Sequence, residues 1–145
     1  MDDIFAGGTR PPIHLLASES DMIASLALQA EHRYPVVAAM LLEEIERAEL
    51  HEPGSLPVDA ITLGSEVEFI DERTHQLRRV ELVMPADANI SLGKISILTP
   101  VGAALYGLRK EQSIDWPDLS GDVRKIRIVR VRQPGPDGEQ PRLAS

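Results

Sequence analysis

The chain has 145 residues, a length that suits one compact domain of ordinary size with a small appendage. It contains no cysteine, which excludes a disulfide framework and a thiolate-bound metal, and it has no run of eighteen apolar residues that could span a membrane as a helix. The net charge of −8 is uneven, with ten acids against three bases through Leu56 and thirteen against twelve from Pro57 onward; an acidic front half is ill suited to wrapping a phosphate backbone and fits either a basic partner surface or solubility alone.

The first residues carry Asp2 and Asp3 and no basic stretch leading into an apolar one, so they do not read as a signal peptide, and a cytoplasmic location is expected. Gly7-Gly8 and Pro11-Pro12 make the start a flexible leader, taken as 1–17. A helix is expected from Ser18 or Ser20, where Ser18 and Asp21 have the spacing of a capping box. Met22, Ile23, Leu26, Ala27 and Ala30 follow at helical spacing. Tyr34-Pro35 ends that helix, and Pro35 suits the first turn of the next. Val37, Met40, Leu41, Ile45 and Ala48 form the second stripe, with Glu43, Glu44, Glu46 and Glu49 on the other faces. Residues 18–50 are therefore expected to form an antiparallel helical hairpin with arms about 20 Å long. The glutamates are read as a solvated face or as a surface for a basic partner.

Residues 51–57 are rich in helix breakers and read as a linker. The period then changes. Short strands are expected over 60–63, 66–70, 76–84, 94–98, 112–116 and 123–131, with a small-residue helix over 101–106. The expected fold class is α+β, with a twisted, mainly antiparallel sheet over residues 58–132 covered on one face by that helix. In the last strand Arg130 would follow Ile126 and Ile128 inward, so either a bulge resets the register or the strand leaves the core there. Residues 133–145, with three prolines and two glycines, read as a disordered tail.

Chemistry-bearing motifs are few. His14, His32, His51 and His75 are scattered without ligand spacing, so no metal site is expected. Nothing resembles a P-loop or a dinucleotide turn, so no cofactor is expected. Arg124, Lys125, Arg127, Arg130 and Arg132 make the last strand basic, but aromatics that could stack bases are not interleaved, and charges are usual on edge strands. Direct nucleic-acid binding is not expected.

The run from Gly93 to Leu108 carries a resemblance. Its Gly93, Ile95-Ser96 strand, Thr99-Pro100 loop and short helix ending Ala104-Leu105-Tyr106-Gly107 resemble the C-terminal signature of the GreA/GreB transcription elongation factors, with Thr99 where Ser is usual. Pro85-Ala86-Asp87-Ala88 and Gly64-Ser65 echo the same pattern. Val101 to Arg109 and Ser113-Ile114-Asp115-Trp116 are more similar still to the family's regulators of nucleoside diphosphate kinase. The resemblance spans residues 57–132. It implies an FKBP-like C-terminal domain that docks at the rim of the RNA polymerase secondary channel, and a hairpin that enters the channel. The contact loop it implies is Leu98, Thr99, Pro100 and Val101; the local reading of the same residues is a helix cap at Thr99 opened by Pro100.

Gre hairpins deliver tip carboxylates that help hold a second Mg²⁺ for RNA hydrolysis. Here the expected tip is Glu31, His32, Arg33 and Tyr34, with one carboxylate beside a cation, and the arms are about half as long as the Gre coiled coil. The expectation is a monomeric, non-enzymatic polymerase-binding regulator that competes with Gre-type factors and does not cleave transcripts. The alternatives are a prolyl isomerase, from the FKBP-like fold, and a direct regulator of nucleoside diphosphate kinase.

Overall fold

A computed structural model describes residues 11–117 and 120–134. Strand β1 (His14–Leu16) leads into helix α1 (Ala17–Gln29), and a tight turn joins α1 to helix α2 (Pro35–Arg47). Strand β2 (Glu49–His51) follows α2 and pairs with β1 in parallel. The remaining strands are β3 (Glu66–Asp71), β4 (Gln76–Val83), β5 (Lys94–Ser96), β6 (Ser113–Pro117) and β7 (Val123–Arg132), with helix α3 (Pro100–Leu105) between β5 and β6. They form a five-stranded sheet in the order β5-β4-β3-β7-β6, antiparallel except for the parallel β4–β5 pair. The chain is thus mixed α+β with N-terminal helices. No helix among the described residues is long and apolar enough to cross a membrane.

The hairpin arises where the apolar stripes required it. Pro35 opens α2, and the turn closes through Tyr34 N–H to Ala30 O at 2.8 Å. Both arms have thirteen residues. Their buried stripes, Ile23 and Ala27 on α1 and Val37, Ala38, Met40 and Leu41 on α2, join one cluster with Val67, Leu82, Leu105 and Ile128 of the sheet domain. The hairpin therefore packs on the body and shares its core. Glu44 shows the consequence. It was expected on a solvated face, yet it is 1% exposed and pairs with Arg47 at 2.7 Å, because α2 has neighbours on two sides. The Ser18–Asp21 capping box does not form; Leu16 occupies the cap, and the Ser20 hydroxyl instead donates to Ala17 O at 2.8 Å.

Other boundaries also moved. The expected leader reached residue 17, but Ile13 and Leu15 are buried, and His14 to Leu16 pair with residues 49–51. Gly107 makes room for this strand. It holds φ +85°, and a Cβ there would come within 2.9 Å of both Ile13 and Leu15 side chains. The expected strand over 60–63 is instead a buried turn, whose Ile61 exchanges two backbone hydrogen bonds with the 107–108 turn, too few for a ladder. Part of the expected linker belongs to β2 and to a 3-10 turn, Pro53–Ser55. The first ten residues of the expected leader, the tail from 135 and residues 118–119 between the last two strands lie outside the described residues.

The Arg130 problem is resolved by a bulge. Glu68 pairs with Arg130 but Phe69 pairs with Ile128, so Val129 is the extra residue and Arg130 stays on the solvent side.

Candidate functional site

The Thr99–Pro100 dipeptide fixes the start of α3. The Thr99 hydroxyl donates to Ser96 O at 2.8 Å and accepts from Gly102 N–H at 3.0 Å, while Pro100 fills the first turn. Beside this cap the sheet leaves an open groove of about 450 Å³. Phe69, Val80 and Ile95 give it an apolar floor, and Thr99, Pro100 and Val101 line one side. Ile90, Ser120 and the cations Arg78 and Arg124 complete it. Of the four expected contact residues, three meet at this groove. Leu98 does not line it and packs against the core instead.

The period-2 rule explains Arg124. It sits two residues before Ile126 and four before Ile128, which face the core, so it shares their side of the sheet at the groove end. Asp71 anchors it through an ion pair from Arg124 Nη2. Burial alone would push the Asp71 carboxyl up. The Arg124 hydrogen bond and charge, with backbone N–H groups of Arg73 (3.0 Å) and Thr74, outweigh that and hold it below the usual carboxylate range. A depressed folded value means the stabilisation is complete above the ordinary value, about 3.9, and disappears as pH falls through the lower folded one. Asp71→Asn is therefore expected to cost roughly 1.5–3 kcal/mol at neutral pH. In thermal melts the gap between the variant and the wild type should close as pH drops below about 4; a gap that persists unchanged into strong acid would contradict this.

A second polar link joins hairpin and sheet domain. Tyr106 donates its hydroxyl to Glu19 at 2.9 Å, and Leu63 N–H approaches the same oxygen at 3.3 Å. Burial raises the Glu19 carboxyl overall, although these hydrogen bonds oppose it. Burial, and then the neighbouring carboxylate, push the Tyr106 phenol up, so it remains a donor.

The hairpin tip lies apart. Glu31, His32, Arg33 and Tyr34 are all exposed, and none of them lines the groove. The Arg33 guanidinium sits over the Tyr34 ring at 5.5 Å. The cations of β7 are largely matched. Arg124 meets Asp71, Lys125 meets Asp115 at 3.3 Å, Arg127 meets Glu72 at 3.1 Å and Arg132 meets Glu66 at 2.7 Å. Paired in this way, the strand is a striped surface of alternating sign and lacks the continuous positive track that a phosphate backbone requires.

The expectation that the histidines are scattered fails for two of them. The β1–β2 pairing brings His14 Nδ1 to 3.0 Å from His51 Nε2. Sequence spacing gave no signal, because ligand-spacing rules read local separation and these residues are 37 apart. The groove floor was missed for a similar reason, since Phe69, Val80 and Ile95 come from three strands.

Residues 56–133 match the family model described as transcription elongation factor GreA/GreB, C-terminal. The chain is 31% identical over 132 residues to the regulator of nucleoside diphosphate kinase of Escherichia coli K12, covering 90% of this chain and 97% of that protein. It is 35% identical over 94 residues to transcription elongation factor GreA of Azorhizobium caulinodans, covering 65% of this chain and 59% of that one. Among solved structures it is similar to a prokaryotic transcription elongation factor GreA/GreB from Nitrosomonas europaea, with a TM-score of 0.66 and 34% identity, covering 85% of this chain and 99% of that one.

Proposed function

Because this chain belongs to the GreA/GreB family, we propose that it is a transcription regulator that binds RNA polymerase at the secondary-channel rim and competes there with Gre-type factors without cleaving RNA. The observation that carries the docking reading is the apolar groove of about 450 Å³ bordered by Thr99, Pro100 and Val101. Its floor can receive an apolar partner side chain, while Arg78 and Arg124 favour acidic neighbours on that partner. The sheet domain acts as an FKBP-like body, and the protein works as a cytoplasmic monomer. Competition needs no allostery, since two factors sharing one site displace each other by mass action.

The absence of cleavage rests on the hairpin. A hard cation at the polymerase centre wants carboxylate oxygens. The tip offers Glu31 alone, next to His32 and Arg33. Thirteen-residue arms reach about 20 Å at 1.5 Å per residue, which limits how deep that carboxylate can go.

The test pairs binding with chemistry. Thr99→Arg/Pro100→Arg, folded by circular dichroism, is expected to bind polymerase more than about tenfold more weakly, the loss of roughly 1.4 kcal/mol or more that an interface centre commonly carries. Unchanged binding would remove the groove from the proposal. Release of short 3′ RNA fragments from backtracked complexes by the wild type would overturn the non-cleaving part. Prolyl isomerisation is not favoured, because the groove contains a single aromatic residue, Phe69. Direct regulation of nucleoside diphosphate kinase gains no support from the groove, and capture of the kinase in place of polymerase would revive it.

A further inference from the structure

The parallel pairing of β1 and β2 sets His14 opposite Glu49 and Leu16 opposite His51. Residues two apart on a strand share a face, so His14, Glu49 and His51 lie on one side of this two-stranded ribbon. Their ligand atoms converge. His14 Nδ1 is 3.0 Å from His51 Nε2 and 3.8 Å from Glu49 Oε1, and His51 Nε2 is 3.6 Å from Glu49 Oε2. Among the described residues this is the one group of three or more such side chains whose ligand atoms lie mutually close.

We propose that His14, Glu49 and His51 form a binding site for a divalent transition cation, zinc foremost, at the base of the helical hairpin. A tetrahedral zinc with bonds of about 2.0–2.1 Å to nitrogen and oxygen separates its ligand atoms by about 3.3 Å; the two ring nitrogens stand 3.0 Å apart, and a carboxylate oxygen of Glu49 lies within 4.8 Å of both, close enough for a small swing of Glu49 to complete the set. The donor set of two imidazoles and one carboxylate suits zinc and its neighbours and is poor for Mg²⁺ or Ca²⁺. Three protein ligands leave a fourth position for water. The outer shell is present as well: Ser55 Oγ lies 3.4 Å from His51 Nδ1, on the ring nitrogen that faces away from the site. The two histidine side chains are only 15% and 11% exposed, which holds their rings in place, whereas Glu49 at 65% is free to swing onto the ion.

The proton balance is simple. A contact of 3.0 Å between two ring nitrogens needs one N–H donor and one lone pair. When Ser55 Oγ accepts from His51 Nδ1–H, His51 Nε2 is the lone pair and His14 Nδ1 the donor. The cation takes both lone pairs once the His14 proton moves to its Nε2, so no net proton is released. β1 immediately precedes α1, and β2 follows α2 after Ala48 alone. The ion would thus tie the two ends of the hairpin together and fix its seat on the sheet domain.

The experiment uses the full-length chain stripped with a chelator. Calorimetric titration with ZnCl₂ is expected to give one site per chain, with MgCl₂ giving none. His14→Gln and His51→Gln should each abolish that site, and Ser55→Ala should weaken it about tenfold. Melting curves without metal check that the variants are folded. Should a variant fail to fold, the imidazole NMR signals of the wild type decide: zinc is expected to shift His14 and His51. No binding by the wild type, retention of the site in either histidine variant, or shifts confined to His32 and His75 would each overturn the proposal. None of these readouts depends on polymerase binding.

Discussion

Gly102→Ala is expected to destabilise the protein by roughly 2–5 kcal/mol, combining the cost of overpacking with the loss of a helix cap. An added Cβ would clash with Ser96 O and stand 3.0 Å from Thr99 Oγ1. Neither atom can retreat cheaply. Ser96 O already accepts from Thr99 N–H at 3.1 Å and from the Thr99 hydroxyl at 2.8 Å, and that hydroxyl accepts from Gly102 N–H. The methyl group therefore strikes the network that starts α3, and Thr99, Pro100 and Val101 must shift with it. Small domains are stable by only about 5–15 kcal/mol, so the change should be plain in urea denaturation. Gly54→Ala is the control, because a Cβ there meets nothing within 4 Å and its backbone is ordinary. Equal midpoints for the two variants would contradict the geometry.

Trp116→Ala is expected to cost about 3–5 kcal/mol. Trp116 lies on β6, at the edge of the sheet, yet it is 1% exposed and heads the fully buried side chains by size. Aromatics are only 3% of the chain, so few other large side chains can fill the space it leaves. It is also the sole tryptophan, which makes circular dichroism in urea the suitable measurement for the variant. Trp116→Phe should recover part of the loss. A loss below about 1 kcal/mol for Trp116→Ala would mean that the edge strand is not held by this side chain.

Much of this was readable along the chain. Pro35 after a helical stripe fixed the hairpin turn, because proline disfavours helix before it and suits the first turn after it. Thr99-Pro100 marked the start of α3 by the same local chemistry. Even the bulge at Val129 was foreshadowed by an arginine falling where an inward residue was due. In each case the signal and the structure it produced lie within a few residues.

Other features have no local signal. Glu44 carries the sequence signature of a solvated glutamate, and only the packing of α2 between two neighbours buries it against Arg47. The resemblance implies one contact loop of Leu98, Thr99, Pro100 and Val101, yet Leu98 packs against the core and does not line the groove. The sequence by itself determined the period of the two long helices and of the main strands, the hairpin turn at Pro35, the cap at Thr99 and a family resemblance across residues 57–132. Tertiary structure alone decided the groove, whose floor comes from three strands, and the meeting of His14 with His51 across 37 residues. The reason is that both depend on which strands pair and in what register, and that choice minimises the free energy of the whole core.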